Sequence, residues 1–599
     1  MAVLYPIEVI LPLVIAALII PFMEESPKKV KYLALGASLL TLLITLSLIA
    51  YPPTSQIQSF SWFRISGYNF DIATSTAPLN MFLLVIVSII GPLIFLYSMG
   101  YMEIPSEQRR FYFEMCIFAA SMMLFAISAS LITLFIAWEM LGVTSYLLIG
   151  FWYRREFASH AARKAITTIL LGDIAMLAGI VIIAVNVGSF DYSAILSNIS
   201  GPGPLVLPAL LILIAAFTKS AQFPFHEWLS DAMEGPTPVS AFLHSSTMVK
   251  AGVFLIITLV PLYIQTGLQS LILVVGLLSA IVGASNALTS KHIKKILAYS
   301  TIEDLGLMFV AVGLNAIYAG VLFFFVQSFY KALLFMGAGS IMHANGDEED
   351  IFKTYNSTTR KSIFIPIAIG VLSIAGVFPL SGFFGKALIG NAASSNPIVY
   401  LVLVLVEIAS STYAFRWLFI PMRHMNFEDE ELEPPNYKAV PMAMVVPMLV
   451  LAVLVFAADA GYFLLPQYLG GYIPIVGQSV TVTEFLAVNA VALIGFYSAY
   501  RIYRKNHRFY LSSTNQGLYT LLYNNVITNR VYDYIGKSTF RLAESLSKLD
   551  YTIDRATYSF SDALIKSGYA VKGMVDGQVN TYLLAFVAGF AILVLMFVL

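Results

Sequence analysis

Charge is what this chain has least of. Asp, Glu, Lys and Arg make up 11% of its 599 residues, against about 25% in a soluble domain. With 59% of the chain hydrophobic, most of it must lie in lipid, so the usual conversion of length into soluble domains does not apply. The formal net charge is +0, which leaves no basic footprint for nucleic acid. Cysteine is nearly absent. The one thiol, Cys116, cannot close an internal disulfide, and with no C-x-x-C pair the chain has no thiolate set for zinc or an iron–sulfur cluster. The seven histidines show no metal-ligand spacing. No phosphate loop or nucleophile constellation is present, which argues against a self-contained enzyme. The opening MAVLYPIEVILPLVIAALII lacks a basic n-region and a cleavage site, so it reads as a retained first span.

What is present is long apolar runs. A span needs about 20 mostly apolar residues. Candidates fall near 6–23, 31–51, 78–99, 111–128, 130–152, 162–187, 205–225, 238–263, 268–289, 293–314, 316–342, 362–387, 397–421, 439–465, 481–503 and 580–599, sixteen in all. The expected fold class is an all-α polytopic membrane protein. Connections after odd-numbered spans carry PKKVK, EQRR, RREF…ARK, KHIKK, KTYNSTTRK, PMRH and RIYRKNHR; those after even-numbered spans are nearly bare of Lys and Arg, with Arg64 the exception. The positive-inside rule then places the basic loops in the cytoplasm and both termini outside.

Residues 504–579 are too charged to span. Leu542, Leu546, Leu549, Ile553, Ala556, Phe560 and Ala563 recur there at steps of four and three, which makes one apolar stripe on a helix. A long amphipathic helix over 511–579 is expected, lying along the cytoplasmic membrane surface or against other spans. A span at 580–599 would anchor it.

A charge at bilayer depth costs at least about 2.5–3.5 kcal/mol and is a functional candidate by default. Those well inside apolar runs are Glu139, Asp173, Lys219, His244, Lys250, Glu303, Asp304, Lys331, Lys386 and Glu407. Each also has a structural reading. Lys250 and Lys386 can snorkel to an interface, His244 can be a hydrogen-bonded core residue, and Glu407 can pair with Arg416. Acids and bases spread over spans five to thirteen nonetheless read as a proton relay. Burial disfavours a charged ammonium and a nearby carboxylate favours it, so a Glu139–Lys219 pair could switch between holding and releasing a proton. His226, Glu227, Asp231 and Glu234 read as a cytoplasmic mouth or as a solvated turn.

Proline supplies a second pattern. Pro224 follows Lys219 in TKSAQFPF, and Pro379 precedes Lys386 in GVFPLSGFFGK. Proline inside a span interrupts the backbone ladder, and broken spans in corresponding places of two halves point to an ion path. Spans seven and twelve are five apart, so two five-span repeats fit, four to eight and nine to thirteen. An odd number of spans makes such repeats inverted. The division that follows is 1–110 for spans one to three, 111–265 and 266–425 for the repeats, 426–510 for spans fourteen and fifteen, then 511–579 and 580–599.

PFHEWLSDAMEGPTPVSAFLHSSTMVKAGVFL, KKILAYSTIEDLGLMF, FYKALLFMGAGSIMH and GVFPLSGFFGK, in this order, resemble blocks of the antiporter-like subunits of respiratory complex I and of multisubunit cation/proton antiporters. The resemblance covers about residues 60–420. A surface helix followed by GQVNTYLLAFVAGFAILVLMFVL resembles the largest, distal type, called L in bacteria and subunit 5 in mitochondria, with a related form in archaeal F420H2 dehydrogenases. The resemblance implies a proton path through Glu139, Lys219, Lys331 and Lys386, with Asp173 and His244 at matching places, and fourteen core helices. It implies M-, N-, K-, J- and H-like membrane subunits as partners, with iron–sulfur clusters, flavin and quinone in partner subunits and none in this chain. A cell-membrane location follows. The chain departs from the family at Gln327, where a histidine is usual one turn before Lys331. It departs again at Leu170 in place of an arginine, at Ala387 in place of an acid, and at Glu303 and Asp304 in place of neutral residues. Glu303 or water could substitute in the central relay. The expectation is a non-redox, proton-translocating subunit of a redox-driven complex. The alternatives are a subunit of a sodium/proton antiporter or bicarbonate-uptake complex, and a scaffold.

Overall fold

The computed structural model describes residues 5–23, 27–65, 67–197, 203–354, 361–422, 438–475, 479–503, 526–573 and 579–598, in two compact units, Met1–Tyr523 and Asn524–Leu599. The helices of the first unit are α1 (Leu11–Ile19), α2 (Pro27–Ala50), α3 (Pro78–Tyr101), α4 (Pro105–Ala126), α5 (Leu131–Ile149), α6 (Glu156–Val187), α7 (Tyr192–Ser197), α8 (Val206–Lys219), α9 (Glu227–Asp231), α10 (Thr237–Ser245), α11 (Met248–Thr258), α12 (Val260–Gln265), α13 (Gln269–Thr289), α14 (Ile293–Gly313), α15 (Ile317–Ala344), α16 (Lys361–Ile374), α17 (Gly382–Ala393), α18 (Pro397–Phe419), α19 (Met442–Ala457), α20 (Gly461–Leu469) and α21 (Val482–Tyr503). The second unit holds α22 (Val526–Gly573) and α23 (Val579–Val598).

Twelve helical segments among the described residues are long and apolar enough to cross a membrane. Three shorter apolar helices, Pro6–Phe22, Val206–Lys219 and Lys361–Ile374, join them. The last two are short because each stops ahead of a proline break, at Pro224 and Pro379, both preceded by a cis peptide bond. Helix α4 carries Glu107, Arg109, Arg110 and Glu114 in its first half, mostly ahead of the expected span at 111–128.

Burial sorts the helices by place. Almost every residue of α14 and α15 is buried, so these two run through the middle, and α13 packs along α14. Helix α6 turns Leu170, Leu171, Ile174, Leu177, Val181 and Val185 outward. An apolar helix with an exposed apolar face, on a chain so poor in charge, faces lipid or another membrane subunit.

The all-α expectation needs one correction. Residues Ile57–Ile65 and Tyr68–Ser75 form an antiparallel hairpin, β1–β2, paired Ile57 with Ser75 through Ile65 with Tyr68. Its strands are rich in Phe, Tyr, Trp and Ile, which suit a pleated surface. The turn uses Gly67 at φ +89°, a conformation that glycine adopts without cost. A second difference lies in span eight. It is interrupted at Ser246 and Thr247, where the Thr247 hydroxyl donates to the Phe242 carbonyl and competes with the helical ladder.

In the second unit α22 is a single helix of 48 residues, about 72 Å long at 1.5 Å per residue. Leu546, Leu549, Ile553 and Phe560 of its stripe are exposed, and Glu544–Lys548 and Asp562–Lys566 form i,i+4 ion pairs on it. The expected first part of this helix, 511–525, lies outside the described residues, as do the side chain of Leu542, residues 574–578 and the basic stretches 355–360, 423–424 and 504–508.

Candidate functional site: a buried chain of charges

At one end Lys219 is the last residue of α8, fully buried. Its Nζ donates to the Trp138 carbonyl at 2.8 Å, sits 4.3 Å from the Trp138 ring centroid and lies 3.6 Å from Asp173 Oδ1. The Trp138 indole N–H donates to the same carboxylate at 2.6 Å. The lysine's ion-pair partner is therefore Asp173 of α6, where the sequence pointed to Glu139. Glu139 follows Trp138 on α5 but is only half-buried: successive helical residues point about 100° apart at 3.6 residues per turn, so Trp138 takes the inward direction and Glu139 the flank.

In the middle, Lys331 of α15 forms an ion pair with Asp304 of α14 at 2.8 Å and donates to the Ser300 hydroxyl at 2.7 Å. Asp304 also accepts from Gln327 Nε2 and the Tyr330 hydroxyl, each at 3.2 Å. Gln327, where a histidine was expected, thus serves as a donor to the carboxylate. His244 of α10 is fully buried, with its ring 5.5 Å from that of Phe335. Neither of its ring nitrogens has a hydrogen-bond partner among the described residues. Lys250 does not snorkel. It is fully buried, donating to the Phe324 carbonyl at 2.7 Å and to the Ser328 hydroxyl.

At the other end Glu303 accepts from the Tyr413 hydroxyl at 2.9 Å. Tyr413 lies 3.3 Å from the Ser410 hydroxyl, to which Lys386 of α17 donates at 3.3 Å. Neighbouring acids on one helix thus serve two sides: Asp304 turns to α15 and Glu303 to α18. Glu407 shares a cavity with Lys386 and does not pair with Arg416. Nine residues along α18, Arg416 instead donates to the carbonyls of Ala287, Leu288 and Ser290 at 2.6–2.8 Å, capping the C-terminus of α13 where a cation is favoured.

The turn read as a mouth or a solvated turn is partly drawn in, with Asp231 and Glu234 still half-exposed. His226 and Glu227 are buried, and Lys164 of α6 bonds Glu227 at 3.0 Å and Asp231 at 2.9 Å; an ion pair from the neighbouring helix draws the turn in. Capping the start of α14, His292 accepts at Nδ1 from the backbone N–H groups of Lys294 and Lys295, so its proton is on Nε2, which faces Glu349 at 2.9 Å. Burial holds the His292 pKa down. The hydrogen bond from His292 draws Glu349 down to about 2.

Several participants escaped the sequence reading. Trp138 carries no charge, so a search for ionisable groups passes over it. Ser410 and Tyr413 had a usable signal: with Glu407 they recur at steps of three, one polar face on an otherwise apolar helix. Glu484 of α21 is buried and lies outside every block that carried the resemblance.

Comparison with known proteins agrees in extent. Residues 128–411 match the family described as "NADH:quinone oxidoreductase/Mrp antiporter, TM". Residues 62–112 match "NADH-Ubiquinone oxidoreductase (complex I), chain 5 N-terminus". NADH-quinone oxidoreductase subunit L of Campylobacter jejuni is 33% identical over 90% of each chain. F(420)H(2) dehydrogenase subunit L of Methanosarcina mazei is 31% identical over 95% of this chain and 93% of its own. Among solved structures, a chain of the Mrp complex from Dietzia sp. superposes with a TM-score of 0.72 at 25% identity, over 88% of this chain and 60% of that one. A chain of the membrane-bound sulfane sulfur reductase, an archaeal respiratory membrane complex, superposes with a TM-score of 0.66 at 17% identity, over 82% and 99%; at that identity the likeness concerns the fold alone.

Proposed function

We propose that this chain, which belongs to the family of NADH-quinone oxidoreductase subunit L and its subunit 5 and F(420)H(2) dehydrogenase counterparts, is a proton-translocating membrane subunit of a multisubunit complex. One observation carries the reading. Asp173 and Lys219, Lys331 and Asp304, Glu303 and Lys386 are buried among apolar helices, joined within each group by short polar contacts. Buried ionisable groups in a membrane protein are expensive and mark ion paths. In this reading Glu139 receives protons at the flank, Asp173 and Lys219 hold them, and His244, Lys250 and Lys331 pass them inward. Asp304 and Glu303 then hand them to Lys386.

Sixteen spans, ten of them in two inverted repeats of five at 111–265 and 266–425, accommodate this path. The matched breaks at Pro224 and Pro379 support that division. Spans 1–110 and 426–510 flank it, while 511–579 forms the lateral helix on the cytoplasmic side and 580–599 its anchor. Both termini face out of the cell membrane. Its membrane partners resemble subunits M, N, K, J and H, and flavin, iron–sulfur clusters and quinone belong to partner subunits of the complex, so this chain moves protons and not electrons.

In sealed vesicles carrying the assembled complex, Glu139→Gln and Lys219→Ala lose proton translocation while the chain still assembles; translocation at the wild-type level in both overturns the reading. The likeness to the Mrp complex chain favours a second reading, a subunit of a sodium/proton antiporter. Sodium-dependent proton movement by the purified complex, without an electron donor, selects it.

A further inference from the structure

The relay as described stops at Lys386, and the surroundings of that lysine extend it. Lys386, Gly390, Tyr400, Leu403, Glu407 and Glu484 line one small cavity between α17, α18 and α21. Its open volume is about 10 Å³, the space of about one water molecule. Lys386 is 1% exposed, Glu484 5% and Glu407 9%. Two carboxylates and an ammonium therefore converge in a space where a charge is expensive unless it has work or a partner.

The backbone is shaped to admit the second acid. A Cβ on Gly390 would stand 2.6 Å from Glu484 Oε2, closer than atoms approach, so a side chain at 390 would push the carboxylate away. Gly390 lies four residues after Lys386, one helical turn nearer the end of α17. Glu484 is in the first turn of α21, and Tyr400, four residues into α18, lines the cavity beside it. The cavity thus runs from Lys386 toward the end of the bundle where α17 stops and α18 and α21 start. In the orientation drawn from the basic loops, that end faces outside.

We propose that Glu407 and Glu484 form the proton outlet of this subunit, with Glu484 as the terminal release group. The inference rests on the proton-transfer reading above. The Lys386 ammonium gives one N–H proton to the Glu407 carboxylate, which becomes a carboxylic acid. Glu407 passes it, across the water-sized space, to the Glu484 carboxylate. Glu484 gives it to external water, leaving a carboxylate and a hydronium ion, and the Tyr400 hydroxyl orients Glu484. No electron moves in this sequence.

The test uses sealed vesicles carrying the native complex with Lys219→Ala, Glu407→Gln, Glu484→Gln and Glu484→Asp. Assembly is followed on native gels, and proton translocation per electron as a function of the pH on the release side. A positioned proton-transfer group is worth roughly 10²–10⁴-fold. Glu407→Gln and Glu484→Gln should therefore lower translocation at least about tenfold, with assembly intact. Glu484→Asp, one methylene shorter, should keep part of it and shift its dependence on release-side pH. If Lys219→Ala abolishes translocation while Glu407→Gln and Glu484→Gln leave it at the wild-type level, the outlet is overturned and the relay stands. If Lys219→Ala has no effect, the relay itself falls. If Glu484→Gln does not assemble, the aspartate variant decides: an unchanged dependence on release-side pH overturns the outlet, and a shifted one supports it.

Discussion

The two terminal lysines of the buried chain are held in unlike ways. Lys219 has a carboxylate at 3.6 Å, a carbonyl at 2.8 Å and the Trp138 ring beneath it. Lys386 makes no ion pair among the described residues and donates to one hydroxyl at 3.3 Å, beside two carboxylates in a shared cavity. One lysine is thus fixed by an ion pair, a carbonyl and a ring, and the other by a single hydroxyl at the edge of a cavity. Between them, Asp304 binds Lys331 tightly and Glu303 reaches Lys386 only through Tyr413 and Ser410.

That contrast can be attacked from several sides. Asp304→Leu leaves Lys331 buried without its carboxylate. Loss of one partner from a buried pair costs about 3–5 kcal/mol, and thermal unfolding of the purified complex should show the drop, with Lys331→Met on the same background restoring most of it. Asp173→Asn removes the charge beside Lys219 but keeps an acceptor for Trp138. A charge-assisted bond is worth about 1.5–3 kcal/mol, so a loss in that range is expected in the same assay, with slower proton translocation. Tyr413→Phe breaks the contacts to Glu303 and Ser410 while leaving every charge of the chain in place. It should cost about 1 kcal/mol and slow translocation severalfold while leaving the Lys219 end unaffected. The smallest effect lies outside the spans. Glu349 is nearly half exposed, so Glu349→Gln should cost only about 0.5 kcal/mol. Because folding draws the Glu349 pKa down to about 2, its stabilisation is complete above the ordinary carboxylate range and fades as pH falls toward 2. The mutant's deficit in an unfolding series should vanish in acid.

The coarse fold was legible because lipid leaves few solutions for a long apolar run. The breaks at Pro224 and Pro379 were legible for a related reason, since proline removes a donor wherever it sits. The hairpin at 57–75 was not, because alternating aromatics between two spans resemble any amphipathic loop. The interruption at Ser246–Thr247 was also missed, since it arises from a hydroxyl competing with the backbone and carries no proline or glycine. Among the site residues, apolar context singled out most buried charges on α5 to α18 but not Lys294 or Glu227, and pairing depends on direction around a helix. The sequence reading offered Glu139 as a partner for Lys219, whereas the fold turns Trp138 inward and supplies Asp173 from α6. Likewise Glu407 and Arg416 share a helix yet face different neighbours. Glu303 and Asp304, side by side in sequence, diverge to α18 and α15.

The central claim is that these unlike ends belong to one path. Its most direct test is proton translocation per electron in sealed vesicles carrying the native complex with Lys386→Ala, measured beside Lys219→Ala. One continuous path requires both variants to assemble and both to lose translocation. Translocation at the wild-type level in either variant, with the other silent, would contradict it.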